Sequence, residues 1–570
     1  MKTKSMIITV IVTSLLFSCS MNSNDNSLPA PEKASETSKP EPVAPAAPAA
    51  DPVNAAKPAV SANRMLISPD GSAVTFTCKA ESTDGTLSYQ WYSSPDGSEE
   101  NKSAIDKATS ATYTTEAFTQ KEIRYYFCTV TNTISDNGDK GNKTASQTTA
   151  FYAAYTGLPV LYLDTEVETN QITRDNYVKG SLKIISEEYG NFSYEFKKEK
   201  EGIKGRGNSS WGMPKKGYNI KFDKKQVLFN LPESKKWCIV ANYSDKSLLR
   251  NKFSSVIGTK IFNSEWNPTF INVDVVMNGE YQGNYTFCEK NTIGSGRIDI
   301  QDISDLGKSK FSDINGDGQK DLNDGGFVLE IDARHDADFW FDTTKGVPFT
   351  LKDPDEVSLE IQEHIKGIVQ SAEDVLYSNI FSDSENGWRK YIDETSVIDW
   401  YLANEFAKNV DAPFYLSLYM TYSPSDTKLH LGPNWDFDIG FGNADYTNDG
   451  NTTSCEIPDG WYIKIARIGT YENWIIRMFQ DSTFVEKVKE RWNNKKLELF
   501  YHLYTDINNL SENMKISAEY NFIKWQILGS YVWPNAAGYE NRTNYKSEVD
   551  YLLDWCNKRF QWLDTAINNL

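Results

Sequence analysis

The stretch Gly432-Pro433-Asn434-Trp435-Asp436-Phe437-Asp438-Ile439-Gly440-Phe441-Gly442-Asn443 sets two carboxylates two residues apart in an apolar, glycine-flanked frame. Alternation puts Asp436 and Asp438 on one side of the chain and leaves Phe437 to anchor the other. Asp411 lies 25 residues before Asp436, in a loop after the helical run that ends Asn404-Glu405-Phe406-Ala407-Lys408-Asn409-Val410. A carboxylate pair can hold Mg²⁺, and a loop aspartate beside it can accept a hydroxyl proton. Candidate phosphate-binding cations come earlier. Lys204-Gly205-Arg206-Gly207-Asn208-Ser209-Ser210-Trp211 is a small-residue turn whose glycines let backbone amides approach an anion. Lys216 and Lys221, five apart, face opposite sides of a strand, so at most one points into a cleft. A solvated basic edge is the other reading of that pair. Arg250, where a helix begins in Asp245-Lys246-Ser247-Leu248-Leu249-Arg250, could clamp a phosphate or form a surface ion pair. These are the parts phosphoryl transfer uses, since it needs positioning and charge neutralisation more than covalent chemistry.

A second constellation fits calcium. Residues 313–324 follow the D-x-N-x-D-G pattern. Asp313, Asn315, Asp317, the Gln319 carbonyl, Asp321 and Asp324 supply oxygens at positions 1, 3, 5, 7, 9 and 12. The loop occurs once, so its expected role is structural.

Several elements must position these groups. Gly217 to Phe222 alternates as a strand, and Asn272 to Thr286 reads as a hairpin around Asn278-Gly279-Glu280. Val357 to Tyr377 and Ser396 to Lys408 carry apolar residues at helical spacing. Leu416, Leu418 and Met420 alternate with polar neighbours as a short strand. The last hundred residues are also helical, with Trp474, Trp492, Trp525, Trp555 and Trp562 expected to pack a core. The order is a β-rich lobe and then a helical lobe.

The net charge of −19 disfavours a nucleic-acid partner. With four histidines and no H-E-x-x-H, P-loop, G-x-S-x-G or C-x-x-C, a zinc hydrolase, P-loop ATPase, α/β-hydrolase or thiol redox protein is disfavoured. Abundant Tyr and Trp leave sugar binding as a reading from composition alone. Lys2 and Lys4 precede an apolar run, Ile7 to Phe17, that ends in Ser18-Cys19. This resembles a bacterial lipoprotein signal, residues 1–19, with lipidation on Cys19. The expectation is an envelope protein held to the membrane by lipid, facing the periplasm or the outer surface, where disulfides persist. Residues 20–61, rich in Pro, Ala, Ser and Glu, read as a disordered tether.

Residues 62–155 resemble an immunoglobulin-like sandwich. Short strands carry Cys78, Trp91 and Cys128 in the order of that fold, and Tyr126 stands two before the second cysteine. The resemblance implies a Cys78–Cys128 disulfide between sheets, and a spacer or a module whose loops bind a protein partner. Cys238, Cys288, Cys455 and Cys556 allow three pairings or none.

Over roughly residues 160–565 the motifs R-G-N-S-S-W, K-K-G-Y-N-I-K-F, D-K-S-L-L-R-N-K, G-E-Y-Q-G-N-Y-T-F-C-E-K, G-G-F-V-L-E-I-D, N-x-D and G-P-x-W-D-F-D-I-G-F-G-N resemble the CotH (spore-coat protein H) family in content and order. The resemblance implies an α+β atypical protein-kinase-like domain over 156–570. It would move phosphate from ATP, with Mg²⁺ or Mn²⁺, to surface or secreted proteins. It implies Asp411 as catalytic and Asp436 and Asp438 as metal ligands. Arg206 and Lys216 or Lys221 would hold phosphates, and Glu289 would stand where a kinase hinge meets adenine. A surface adhesion protein with an inactive kinase-like domain, and a transferase that moves another group such as AMP, are the competing readings.

Overall fold

The computed structural model describes residues 55–134, 144–262, 265–469 and 471–570. Cys19, the signal and most of the expected tether lie outside the described residues. Among the described residues, no helix is long and apolar enough to cross a membrane.

From residue 156 the chain first builds an eight-stranded sheet. Its strands are β1 (Val160–Thr165), β2 (Gly180–Ile185), β3 (Phe192–Phe196), β4 (Gly202–Arg206), β5 (Gly217–Gln226), β6 (Ser234–Val240), β7 (Ile271–Met277) and β8 (Glu280–Glu289). The spatial order is β3-β2-β1-β7-β8-β6-β5-β4. All neighbours are antiparallel except β1 and β7. The Asn278-Gly279 turn between β7 and β8 has positive φ at both residues, 49° and 78°. That backbone matches the twist of a hairpin and suits Asn-Gly. Leu161, Leu182, Ile220, Trp237, Val273 and Phe287 pack one face of this sheet.

A short helix, α1 (Arg250–Val256), interrupts the sheet between β6 and β7. Beyond β8 comes a second, five-stranded sheet of β9 (Phe327–Ile331), β10 (Trp340–Asp342), β11 (Pro348–Asp353), β12 (Leu418–Ser423) and β13 (Lys428–Leu431), ordered β10-β11-β9-β12-β13. The C-terminal half is therefore not purely helical, although helices dominate it. In α2 (Leu359–Leu376), Ile361, Ile365, Val369, Ala372 and Leu376 form one buried face, and the Ser358 side chain caps its start. α3 (Glu394–Ala407) is buried on all sides from Val397 onward and stops at Lys408, whose φ is 42°. The long α4 (Ser482–Lys524) and the closing α5 (Tyr545–Asn568) pack on each other and complete the largest core.

The N-terminal strands form a sandwich. Met65–Ser68, Thr144–Tyr155, Glu122–Thr133, Thr86–Ser94 and Ser103–Ala104 make one sheet, and Thr75–Thr77 pairs with Thr112–Thr114. Phe76, Cys78, Trp91 and Cys128 share its core. Cys78 and Cys128 are fully buried and, like Cys238, Cys288, Cys455 and Cys556, stand as free cysteines. The expected tether ends sooner than residue 61. Ala59–Ser61 pairs with Lys79–Glu81, because Val60 finds apolar cover there. The sandwich and the main region pack as one compact unit. Ile67, Ala154, Val160, Val276, Tyr281 and Tyr520 fill the seam, and Tyr520 on α4 donates its hydroxyl to the Leu66 carbonyl (2.8 Å).

Candidate functional site

A cleft of about 570 Å³ opens between the two sheets. The turn after β4 supplies Arg206 to Ser210, β12 begins just beyond Ser417, and the segment before α1 contributes Ala241 to Ser244. Asp411, Asp436 and Asp438 all line it, so the three carboxylates singled out by spacing do meet.

Asp411 and Asp436 are held by the chain around them. Fully buried Glu405 on α3 is tied to Arg559 of α5 (2.8 Å). Lys408 donates to the carbonyls of Ile457 (2.9 Å) and Asp459 (3.0 Å). The loop that follows is fixed by Tyr462, which donates to the Val410 carbonyl (2.7 Å), and by Asn448, which donates to Asp411 Oδ1 (2.9 Å). Asp436 has a φ of 52°, a left-handed conformation that costs energy and marks functional sites when the surroundings enforce it. Here Ser417 donates to Asp436 Oδ2 (3.3 Å), the Phe437 amide donates to Asn251 (2.8 Å), and Phe437 is buried in the large core.

Burial pushes the Asp438 carboxyl up to about 7, aided by the facing charges of Asp436 and Asp245 and opposed by Arg206. Burial likewise takes Asp411 up to about 7; the Asn448 hydrogen bond opposes this and Asp436 adds to it. Carboxylates crowded this way gain from a cation placed among them. The oxygen donor set suits Mg²⁺ or Mn²⁺.

The cations come from several strands. Arg206 Nη2 lies 3.7 Å from Asp436 Oδ1, with its guanidinium carbon 5.6 Å from the Trp435 ring centre. Lys236 pairs with Asp355 (2.6 Å) and Lys352 with buried Glu330 (2.6 Å). Lys290 also lines the cleft and has no carboxylate within ion-pair distance among the described residues. Its ammonium is pulled down to about 8, chiefly by burial, which Cys238 opposes and neighbouring Lys352, Lys236 and Arg206 reinforce. An unpaired cation of this kind gains most from an anionic ligand.

Four expectations need correction. Lys216 does not line the cleft; its ammonium donates to the Trp211 carbonyl. Its neighbour Lys215 reaches the cleft but is fixed to Asn521 (2.9 Å) and the Asn284 carbonyl. Lys221 shares the Asn219 side of β5 but sits beyond the cleft lining, 5.8 Å from the Tyr177 ring centre. Arg250 is fully buried and spends its donors on Asp245 (2.6 Å) and the carbonyls of Gly440 (3.1 Å) and Phe441 (3.4 Å). It thus positions the loop after Asp438 and cannot hold a phosphate. Glu289 is buried, accepts from the Thr269 amide (2.8 Å), and leaves the cleft wall to Lys290, Asn291 and Thr292. Lys290, Lys352 and Glu330 were not singled out from sequence. The quoted motifs F-C-E-K and V-L-E-I-D hold Lys290 and Glu330, and no comparable signal marks Lys352.

The 313–324 loop is folded. Asp313 accepts from the Gly316 (2.7 Å) and Gly318 (2.9 Å) amides, and Asp324 accepts from the Asn315 amide (2.9 Å). Its carboxylates thus turn to the loop's own amides. The one acidic and imidazole triple whose ligand atoms gather within 4.8 Å, among the described residues, is Asp393, Asp426 and His430.

A family model described as CotH kinase protein matches residues 203–563. No curated protein matches the chain. Among solved structures, the crystal structure of Dscam1 isoform 6.9, N-terminal four Ig domains, aligns at 16% identity over 30% of this chain and 44% of that one, with a TM-score of 0.14. The chain thus spans less than half of that structure, and so low a score does not speak for a shared fold.

Proposed function

Because the chain belongs to the CotH kinase family, matched over residues 203–563, we propose that it is an atypical protein kinase that transfers phosphate from ATP to exported proteins. The observation that carries this reading is the meeting of Asp411, Asp436 and Asp438 with Arg206 and unpaired Lys290 in one cleft. Asp436 and Asp438 would hold Mg²⁺ or Mn²⁺, which neutralises phosphate charge when bound. Arg206 and Lys290 draw the phosphate oxygens into the cleft. Asp411, held by Asn448, takes the proton from the accepting hydroxyl.

The lipoprotein-like signal supports a place in the bacterial envelope, with Cys19 lipidated and the chain facing the periplasm or the outer surface. The Cys-Trp-Cys order supports an immunoglobulin-like module with a Cys78–Cys128 disulfide, available to a protein partner. The ligand order of Asp313, Asn315, Asp317, Gln319, Asp321 and Asp324 supports structural calcium. Labelled palmitate incorporated by the wild type and lost in Cys19→Ala would test the anchor.

A second reading is a surface-binding protein with an inactive kinase-like domain. The apolar seam that fuses the sandwich to the main region favours it. Calorimetry of ATP with and without Mg²⁺ separates the two. Metal-dependent binding supports the kinase; no binding in either condition removes it. ATP binding without γ-phosphate transfer would redirect the reading to another transferred group, such as AMP.

A further inference from the structure

Two paired strands beside the cleft carry a cysteine each at facing positions. Cys238 on β6 and Cys288 on β8 are direct cross-strand partners. Their sulfurs lie 3.2 Å apart and both residues are fully buried. Directly opposed residues of antiparallel strands have Cα separations that fall within the span a disulfide bridges. The pair sits in a small apolar cluster with Val240, Phe270, Tyr419 and Trp435, the last of which precedes Asp436. The other two cysteines of the main region, Cys455 and Cys556, belong to the large core instead. Of the pairings the sequence leaves open, the fold brings together one.

We propose that Cys238 and Cys288 form a cross-strand disulfide behind the cation cluster of the cleft. The oxidant is a disulfide-bearing molecule, small or protein. One cysteine attacks it as thiolate, releases one thiol and forms a mixed disulfide. The second cysteine then attacks the first sulfur and releases the other thiol. Two protein thiols thus lose two protons and two electrons, and the oxidant's disulfide becomes two thiols. The hydrogen bond with Cys288 favours the thiolate of Cys238 against its burial, and Arg206 and Lys290 add to this. Because the pair is fully buried, the bond closes as β6 and β8 come together and is shielded from reductant afterwards.

The bond has a consequence for the cleft, and this part rests on the proposed kinase reading. A disulfide cannot ionise. It would also tie β6 to the end of β8, next to Lys290 in the cleft lining.

The test is a peptide mass map of the full chain. Protein is refolded in the presence of oxidised glutathione, then unfolded in iodoacetamide and digested without reductant. The expected result is a linked peptide pair holding Cys238 and Cys288, about two daltons lighter than the two free-thiol peptides together, with Cys455 and Cys556 alkylated. Native protein treated with glutathione should keep the link, and unfolded protein should lose it. Alkylation of both Cys238 and Cys288, or a link from either to another cysteine, overturns the proposal. The readout is a mass, so it stands or falls apart from any kinase activity.

Discussion

Arg206 and Asp436 meet across the cleft, Nη2 to Oδ1 at 3.7 Å, and so join the eight-stranded sheet to the loop of paired carboxylates. The contact is longer than a hydrogen bond, which leaves the guanidinium free to turn toward a phosphate. Arg206 thus partly neutralises the carboxylates that would hold a metal. Arg206→Gln should weaken ATP binding about tenfold or more and leave metal binding in the absence of nucleotide equal or stronger. Separate titrations of Mn²⁺ and of ATP read both halves. Weakened metal binding with unchanged ATP affinity would contradict the role.

Lys290 and Lys216 should separate cleanly. Lys290→Ala removes an unpaired cation from the cleft wall and should cost about tenfold in ATP affinity. Lys216→Ala removes a lysine turned toward the Trp211 carbonyl and should change ATP affinity by less than about twofold. Calorimetry on both variants checks the contrast.

Position in the sequence explains why some of this was legible and some was not. Asp436 and Asp438 declare themselves through spacing and glycine-rich flanks, and Asp411 through its place after a helix. The hairpin turn and the α2 and α3 helices follow from local pattern. The cation cluster does not, because Lys236, Lys290 and Lys352 come from three separate places and meet only through sheet register. Lys215 and Lys216 differ only in which way the chain turns before β5. Arg250 looks like a surface cation until the fold buries it.

Arg250 carries the clearest stability prediction. It is fully buried against Asp245, and removing one partner leaves a charge without compensation. Arg250→Met should lower stability by about 3–5 kcal/mol. It should also loosen the Gly440–Phe441 carbonyls and so weaken metal binding at Asp438. Urea unfolding and Mn²⁺ titration check the two effects. Retained stability with lost ATP affinity would point instead to direct phosphate contact.

The carboxylates give a pH dependence with a fixed sign. Asp411 and Asp438 are pushed up to about 7 in the folded protein, above the ordinary value of about 3.9. The folded state therefore holds their protons more tightly than the unfolded one. That contribution to stability is complete below about pH 4 and is lost as pH rises through about 7. A divalent cation favours the ionised form, so its binding should tighten from pH 6 to pH 8 and release protons. Mn²⁺ titration at both values should show this, with a flatter dependence in Asp438→Asn. Affinity that falls as pH rises would contradict the assignment.

Phosphate transfer by these three aspartates is read out with γ-labelled ATP. Purified protein with Mg²⁺ or Mn²⁺ should label itself or a generic protein acceptor. Asp411→Asn should lower transfer at least about a hundredfold while ATP still binds. Asp436→Asn should abolish transfer together with metal-dependent ATP binding. Label that persists undiminished in Asp411→Asn, or a wild-type protein that binds neither ATP nor metal, would contradict these roles.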